Sequence, residues 1–123
     1  MASGTINQFL PMVPTVITLS ASDMSFNEKL ELYGENKIIS FGRLNIALVS
    51  VKINNATSKS SHTITNFLPV GYRPNSVVSS IISTGLGDGK AQDVNLRNTG
   101  SLEIFPVNLN VTTYAIGTII YTT

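Results

Sequence analysis

The chain has no cysteine, no tryptophan and a single histidine in 123 residues. Without cysteine it has no disulfide framework, no thiol nucleophile and no Cys-ligated zinc. His62 has no second histidine to join it on a metal. Charge is also scarce. Charged residues are 12% of the chain, about half the usual share, with eight basic residues against seven acidic ones. Nucleic-acid binding needs clustered Lys and Arg to displace phosphate counterions, and here they are scattered. No apolar run approaches the roughly 18 residues of a membrane helix. The start, MASGTINQFLPMVPTV, has no basic stretch before an apolar one, the pattern of a secretory signal. These absences predict neither nucleic-acid binding nor membrane insertion.

What the chain does have is neutral polarity. It contains 14 Ser, 13 Thr and 12 Asn, 39 residues of 123. Such a surface hydrogen-bonds without strong electrostatics. The length suits one domain with its own core. Residues 1–14 carry Gly4, Pro11 and Pro14 and are expected to form an extended lead-in; residues 15–123 are expected to form a single β domain.

Period-2 alternation runs through most of the sequence and predicts strands at 15–19, 29–33, 37–41, 43–54, 62–67, 77–84, 91–97, 101–107, 109–114 and 118–123. In RLNIALVSVKIN, residues 43–54, the apolar phase moves from Leu44, Ile46 and Leu48 to Val49, Val51 and Ile53. That slip predicts a β-bulge or a strand changing sheets. YGEN at 33–36 and NTG at 98–100 are expected to be hairpin turns, and GLGDGK at 85–90 a mobile loop. The stretch 21–31 reads as a loop or single turn. About nine to ten short strands at this spacing predict an all-β fold, an antiparallel sandwich or jelly-roll-like barrel.

LPVGYRP, residues 68–74, is the most distinctive stretch. Pro69 ends the preceding strand and Pro74 holds Arg73 extended. Gly71 permits the bend between them. Tyr72 is expected to bury its ring with its hydroxyl on backbone, and Arg73 to satisfy carbonyls that the bend leaves free. The expectation is a rigid structural corner made by Pro69, Gly71, Tyr72, Arg73 and Pro74; the competing reading has Tyr72 or Arg73 touch a ligand.

This corner resembles the LPxGYRP corner in the C-terminal head domains of Gram-positive phage tail proteins, which include receptor-binding and baseplate proteins. LELYGENKIISFGRLNI upstream is similar to the opening of those heads. VNLRNTGSLEI at 94–104 is similar to their strand–turn–strand hairpin, and GTIIYTT to their closing strand. The likeness spans residues 28–123 and rests on four short motifs in order. It implies an antiparallel β head that assembles as a homotrimer at the tail tip or baseplate of a virion, beside other tail proteins. It further implies reversible, lectin-like binding of a host cell-wall saccharide or glycerol-phosphate polymer. The missing coiled-coil or shoulder region points to a cut domain or an unusually small subunit.

In that family the strand before the hairpin turn carries polar ligand contacts, and an aromatic after it stacks on the sugar. The corresponding positions here are Asp93, Asn95 and Phe105. The family pattern at these places tends to His, Asp and Trp, so all three depart from it. Phe lacks the indole donor, and Asp93 replaces a donor with an acceptor. The plainer reading makes Asp93 and Asn95 solvent-facing strand residues and Phe105 part of the core.

Nothing in the sequence demands catalysis. There is no G-x-S-x-G elbow, and no spacing singles out a carboxylate pair. DGKAQD lacks the acidic density of a calcium loop, and GLGDGK lacks the P-loop pattern. The expectation is a binding protein without enzymatic activity, cofactor or metal. The alternative is a structural tail or baseplate subunit of the same fold that binds no saccharide.

Overall fold

The alternation folds into ten strands among residues 13–123, which the computed structural model describes. In chain order these are β1 (Thr15–Thr18), β2 (Ser25–Phe26), β3 (Leu30–Leu32), β4 (Lys37–Phe41) and β5 (Leu44–Ile53). They continue as β6 (His62–Thr65), β7 (Val78–Ser83), β8 (Ala91–Leu96), β9 (Leu102–Phe105) and β10 (Thr113–Thr122). One 3-10 turn, Ala21–Asp23, lies between β1 and β2, where a loop or single turn is expected. Most of the predicted lead-in lies outside the described residues; Val13 and Pro14 are exposed.

The fold is all-β. Its strands form one antiparallel sheet in the order β1-β4-β5-β10-β7-β8-β9-β6-β2, with β3 paired to β5. The sheet curls like a half-barrel over a single buried cluster. Ile38, Val51 and Ile119 enter the cluster from one half and Ile64, Leu96 and Ile104 from the other. Burying each such side chain contributes about 1.5–3 kcal/mol.

The predicted slip in residues 43–54 does not occur. β5 pairs with β10 without interruption, from Leu44 opposite Thr122 to Ile53 opposite Thr113. Its inward face is Asn45, Ala47, Val49, Val51 and Ile53, all buried. The earlier apolar set, Leu44, Ile46 and Leu48, points outward, with Leu44 exposed and the other two half-buried. The change of phase therefore marks a strand with apolar residues on both faces rather than a bulge.

The irregularity lies in the neighbouring chain segment. Leu32 opposes Val51 and Lys37 opposes Leu48, so residues 33–36 face only Val49 and Ser50. YGEN is thus a two-residue outward insertion between strands that share one neighbour, and not a hairpin turn. Asn36 closes the gap. Its Oδ1 accepts from the Ser50 N–H at 2.7 Å and its Nδ2 donates to the Ser50 carbonyl at 2.8 Å. The side-chain amide takes the place of a peptide group in the ladder.

The segments at 109–114 and 118–123 are parts of one region whose strand is β10. Gly117 sits inside it opposite Val49. A Cβ at Gly117 would lie 2.8 Å from the Ile82 side chain, so the glycine lets β7 approach rather than ending a strand.

Candidate functional site

The β8–β9 hairpin positions the first candidate site. Leu96 pairs with Leu102 across the NTG turn, and Gly100 takes φ +89°, which closes the turn as the sequence predicts. Facing residues on the outer surface then fall into two rows. Ile81 opposes Asp93, which opposes Phe105. Ser79 opposes Asn95, which opposes Glu103.

The three residues singled out in sequence come together. Asp93, Asn95 and Phe105, with Ser79, Ser80 and Ile81, line an outer depression of about 540 Å³. Phe105 is half-buried rather than a core residue, and Ile81 beside it is 66% exposed. The Asp93 side chain is exposed and makes no hydrogen bond with the described residues. Asn95 is held on both sides. Its Oδ1 accepts from the Ser79 hydroxyl at 2.7 Å and its Nδ2 donates to Glu103 Oε1 at 3.3 Å.

Glu103 anchors this row. Arg97 Nε donates to its Oε1 at 2.6 Å and the Ser61 hydroxyl to its Oε2 at 3.3 Å. Partial burial alone would raise the pKa of Glu103. The hydrogen bonds from Arg97 and Asn95, and the Arg97 charge, outweigh burial and hold it below the ordinary carboxylate value. Gln92 supports the aromatic from beneath. Fully buried, it donates from Nε2 to the Phe105 carbonyl and accepts from the Val107 N–H at 3.3 Å.

Ser79, Ile81, Gln92 and Glu103 are the contributors that sequence reasoning missed. The available signal was register: once β8 and β9 are joined at NTG, Glu103 must oppose Asn95. Ser79 and Ile81 come from β7, whose pairing no short motif announces.

The corner at 68–74 is tied into the fold from several directions. Arg73 Nε donates to the Leu68 carbonyl at 2.9 Å and its Nη2 to Asn66 Oδ1 at 3.3 Å. The expected backbone bond of the Tyr72 hydroxyl has a different owner: the Tyr121 hydroxyl donates to the Tyr72 carbonyl at 2.6 Å. The Tyr72 ring is half-buried against the core. Pro74 is buried, while Gly71, at φ +96°, is exposed. A cleft of about 570 Å³ lies beside this corner, lined by Ile17, Asp23, Asn66, Pro69 and Arg73 among others. It is slightly larger than the β7–β8–β9 depression. Its Arg73 guanidinium is turned to the corner's own acceptors, so the smaller depression, with a free carboxylate beside an aromatic ring, is better equipped for a ligand.

Two other predicted features have local roles. His62 is buried in β6, with Nδ1–H donating to the Ser60 carbonyl at 2.7 Å. The 85–90 loop is organised around Asp88, which accepts from the Thr84 hydroxyl at 2.7 Å and the Lys90 N–H at 3.0 Å. Those bonds hold the Asp88 carboxyl below its usual range, the Lys90 N–H having the largest effect.

No protein-family model matches the chain, and no curated protein matches it either.

Proposed function

We propose that the chain is a non-catalytic head domain of a phage tail receptor-binding or baseplate protein, and that it holds a host-surface saccharide reversibly. The observation that carries this reading is the depression where the half-buried Phe105 ring lies beside the free Asp93 carboxylate. An aromatic face packs against the C–H face of a sugar ring while a carboxylate accepts its hydroxyl hydrogens. Ile81 extends the apolar floor, and the Ser79–Asn95–Glu103 row holds the polar edge in place. The order of the four sequence motifs supports the phage assignment, the homotrimer and the setting at a virion's tail tip beside other tail proteins.

The local charge favours a neutral saccharide over a glycerol-phosphate polymer. Asp93 and Glu103 both border the depression, and Arg97 is engaged by Glu103 at 2.6 Å. A polyanion meets carboxylates there without a free cation to balance them. Single-site affinity for such a shallow surface is modest, and several sites on one virion multiply it through effective concentration.

Calorimetry with neutral host-wall oligosaccharides and with polyglycerol phosphate tests this reading. The expected result is binding of the neutral glycan alone, lost in Asp93→Ala at an unchanged melting temperature. Binding that survives Asp93→Ala and Phe105→Ala overturns the site.

The second reading is a structural tail subunit of the same fold without saccharide binding. The apolar outer face of β5 and its neighbours favours an assembly role of that kind. It predicts no response to any glycan from an intact oligomer.

A further inference from the structure

We infer that the outer face of β1, β4, β5 and β10 is an interface between copies of this chain. The face is defined by register. Val16 opposes Ile39, Ile39 opposes Ile46, and Ile46 opposes Ile120, which makes one continuous row of β-branched side chains across four strands. Facing residues in an antiparallel ladder lie on the same side of the sheet, so all four point away from the core. Phe41 and Leu44, also paired, form the next row. Val16 is 56% exposed and Ile120 is 63% exposed, so the apolar surface stands in water on a single copy.

The chemistry of the face selects its occupant. Its two lysines are already paired, Lys37 with Glu35 at 3.1 Å and Lys52 with Glu31 at 3.6 Å. The remaining cation near it is Arg43, in the turn between β4 and β5 at its rim, whose Nε donates to the Thr123 carbonyl at 3.0 Å; the centre of the face offers a charged partner no lysine without its carboxylate. A second copy brings the same neutral, aliphatic row, so the centre of each face meets no unpaired charge, and Arg43 stays at the solvated rim. Sheets pack face to face at about 10 Å, a spacing that side chains of this size fill.

Size agrees. β5 and β10 have ten residues each, β4 five and β1 four. At about 4.8 Å between strands and 3.3 Å per residue, the face projects about 460 Å², so two copies bury on the order of 1,000 Å², where specific protein contacts begin. A large exposed apolar patch of this kind marks an interaction surface rather than ordinary scatter. The face is separate from the Phe105 depression on the β7–β8–β9 half, and it stands whether or not that depression binds sugar.

Light scattering on a sizing column tests it with the full chain. The expected wild-type mass is a multiple of 13.2 kDa. Ile120→Lys and Val16→Lys should each reduce it to 13.2 kDa with an unchanged circular-dichroism spectrum, and Val77→Lys, an exposed position just before β7 and at the end away from β10, should leave it intact. Both lysines enter at exposed positions, and if one variant fails to fold the other carries the test. A wild-type chain of 13.2 kDa at every concentration overturns the inference, whichever other protein or segment covers the face. Assembly that persists in both lysine variants overturns it as well. Sugar binding by a monomer would overturn this inference, and the homotrimer of the proposed function with it, while leaving the saccharide site standing; assembly without sugar binding would do the reverse.

Discussion

The Tyr121 hydroxyl donates to the backbone carbonyl of Tyr72 at 2.6 Å, 49 residues away in sequence. The last strand thereby pins the corner at 68–74, and the corner in turn fixes where β7 begins. Burial raises the pKa of Tyr121 well above its ordinary 10.0, because the charged phenolate has no water there. The folded state keeps this proton after the unfolded chain has begun to lose its own. Stability is therefore complete below about pH 10 and declines as pH rises further. Tyr121→Phe should cost about 1 kcal/mol at neutral pH through the lost bond. Chemical unfolding from pH 8 to 11 should show a shallower alkaline decline in Tyr121→Phe than in the wild type.

Gly100 closes the hairpin against the same corner. The Leu68 N–H donates to its carbonyl at 2.9 Å. A Cβ at this position would lie 2.6 Å from the Leu68 carbonyl oxygen, at φ +89°. Neither backbone can give way easily. Gly100→Ala should destabilise the fold by about 3 kcal/mol, combining left-handed strain with the clash. Denaturant unfolding measures it, and Gly42→Ala, where φ is +71° and no atom lies within 4 Å, isolates the strain alone.

Asn36 replaces a peptide group in the β5 ladder with its side chain. Asn36→Ala should cost about 2 kcal/mol because two hydrogen bonds to Ser50 vanish together. Asn36→Asp keeps the acceptor but turns a buried carboxylate oxygen toward the Ser50 carbonyl, so it should cost at least as much as Asn36→Ala. Thermal unfolding ranks the three proteins, and equal melting temperatures would remove Asn36 from the ladder.

Phe105→Trp introduces the aromatic that tends to stand at the corresponding place in the phage heads that the sequence resembles. It also introduces the sole tryptophan of the chain. The larger ring should strengthen saccharide binding several-fold, and its emission should shift when the glycan is added. An unchanged spectrum at saturating glycan would place the sugar elsewhere.

Much of the fold was legible because alternation and turn chemistry are local. β4 at 37–41 and the NTG hairpin needed only their own residues. Failures arose where a distant neighbour decided the outcome. Gly117 looks like a break until Ile82 is seen to need its space. Leu44, Ile46 and Leu48 look like core until β4 and β10 carry the same apolar residues on the outer face. YGEN looks like a hairpin turn until β3 and β4 are found on one neighbour. The site followed the same rule. Asp93, Asn95 and Phe105 were reachable from the hairpin, while Ser79 and Ile81 required the pairing of β7.

The most direct test is a nitrogen–proton NMR titration of the wild-type chain with neutral saccharide fragments from the host wall. The account predicts shifts concentrated at Ser79, Ile81, Asp93, Asn95 and Phe105, saturating with glycan, and none with polyglycerol phosphate. Shifts centred on the cleft beside Arg73, or no shifts with any glycan, would contradict it.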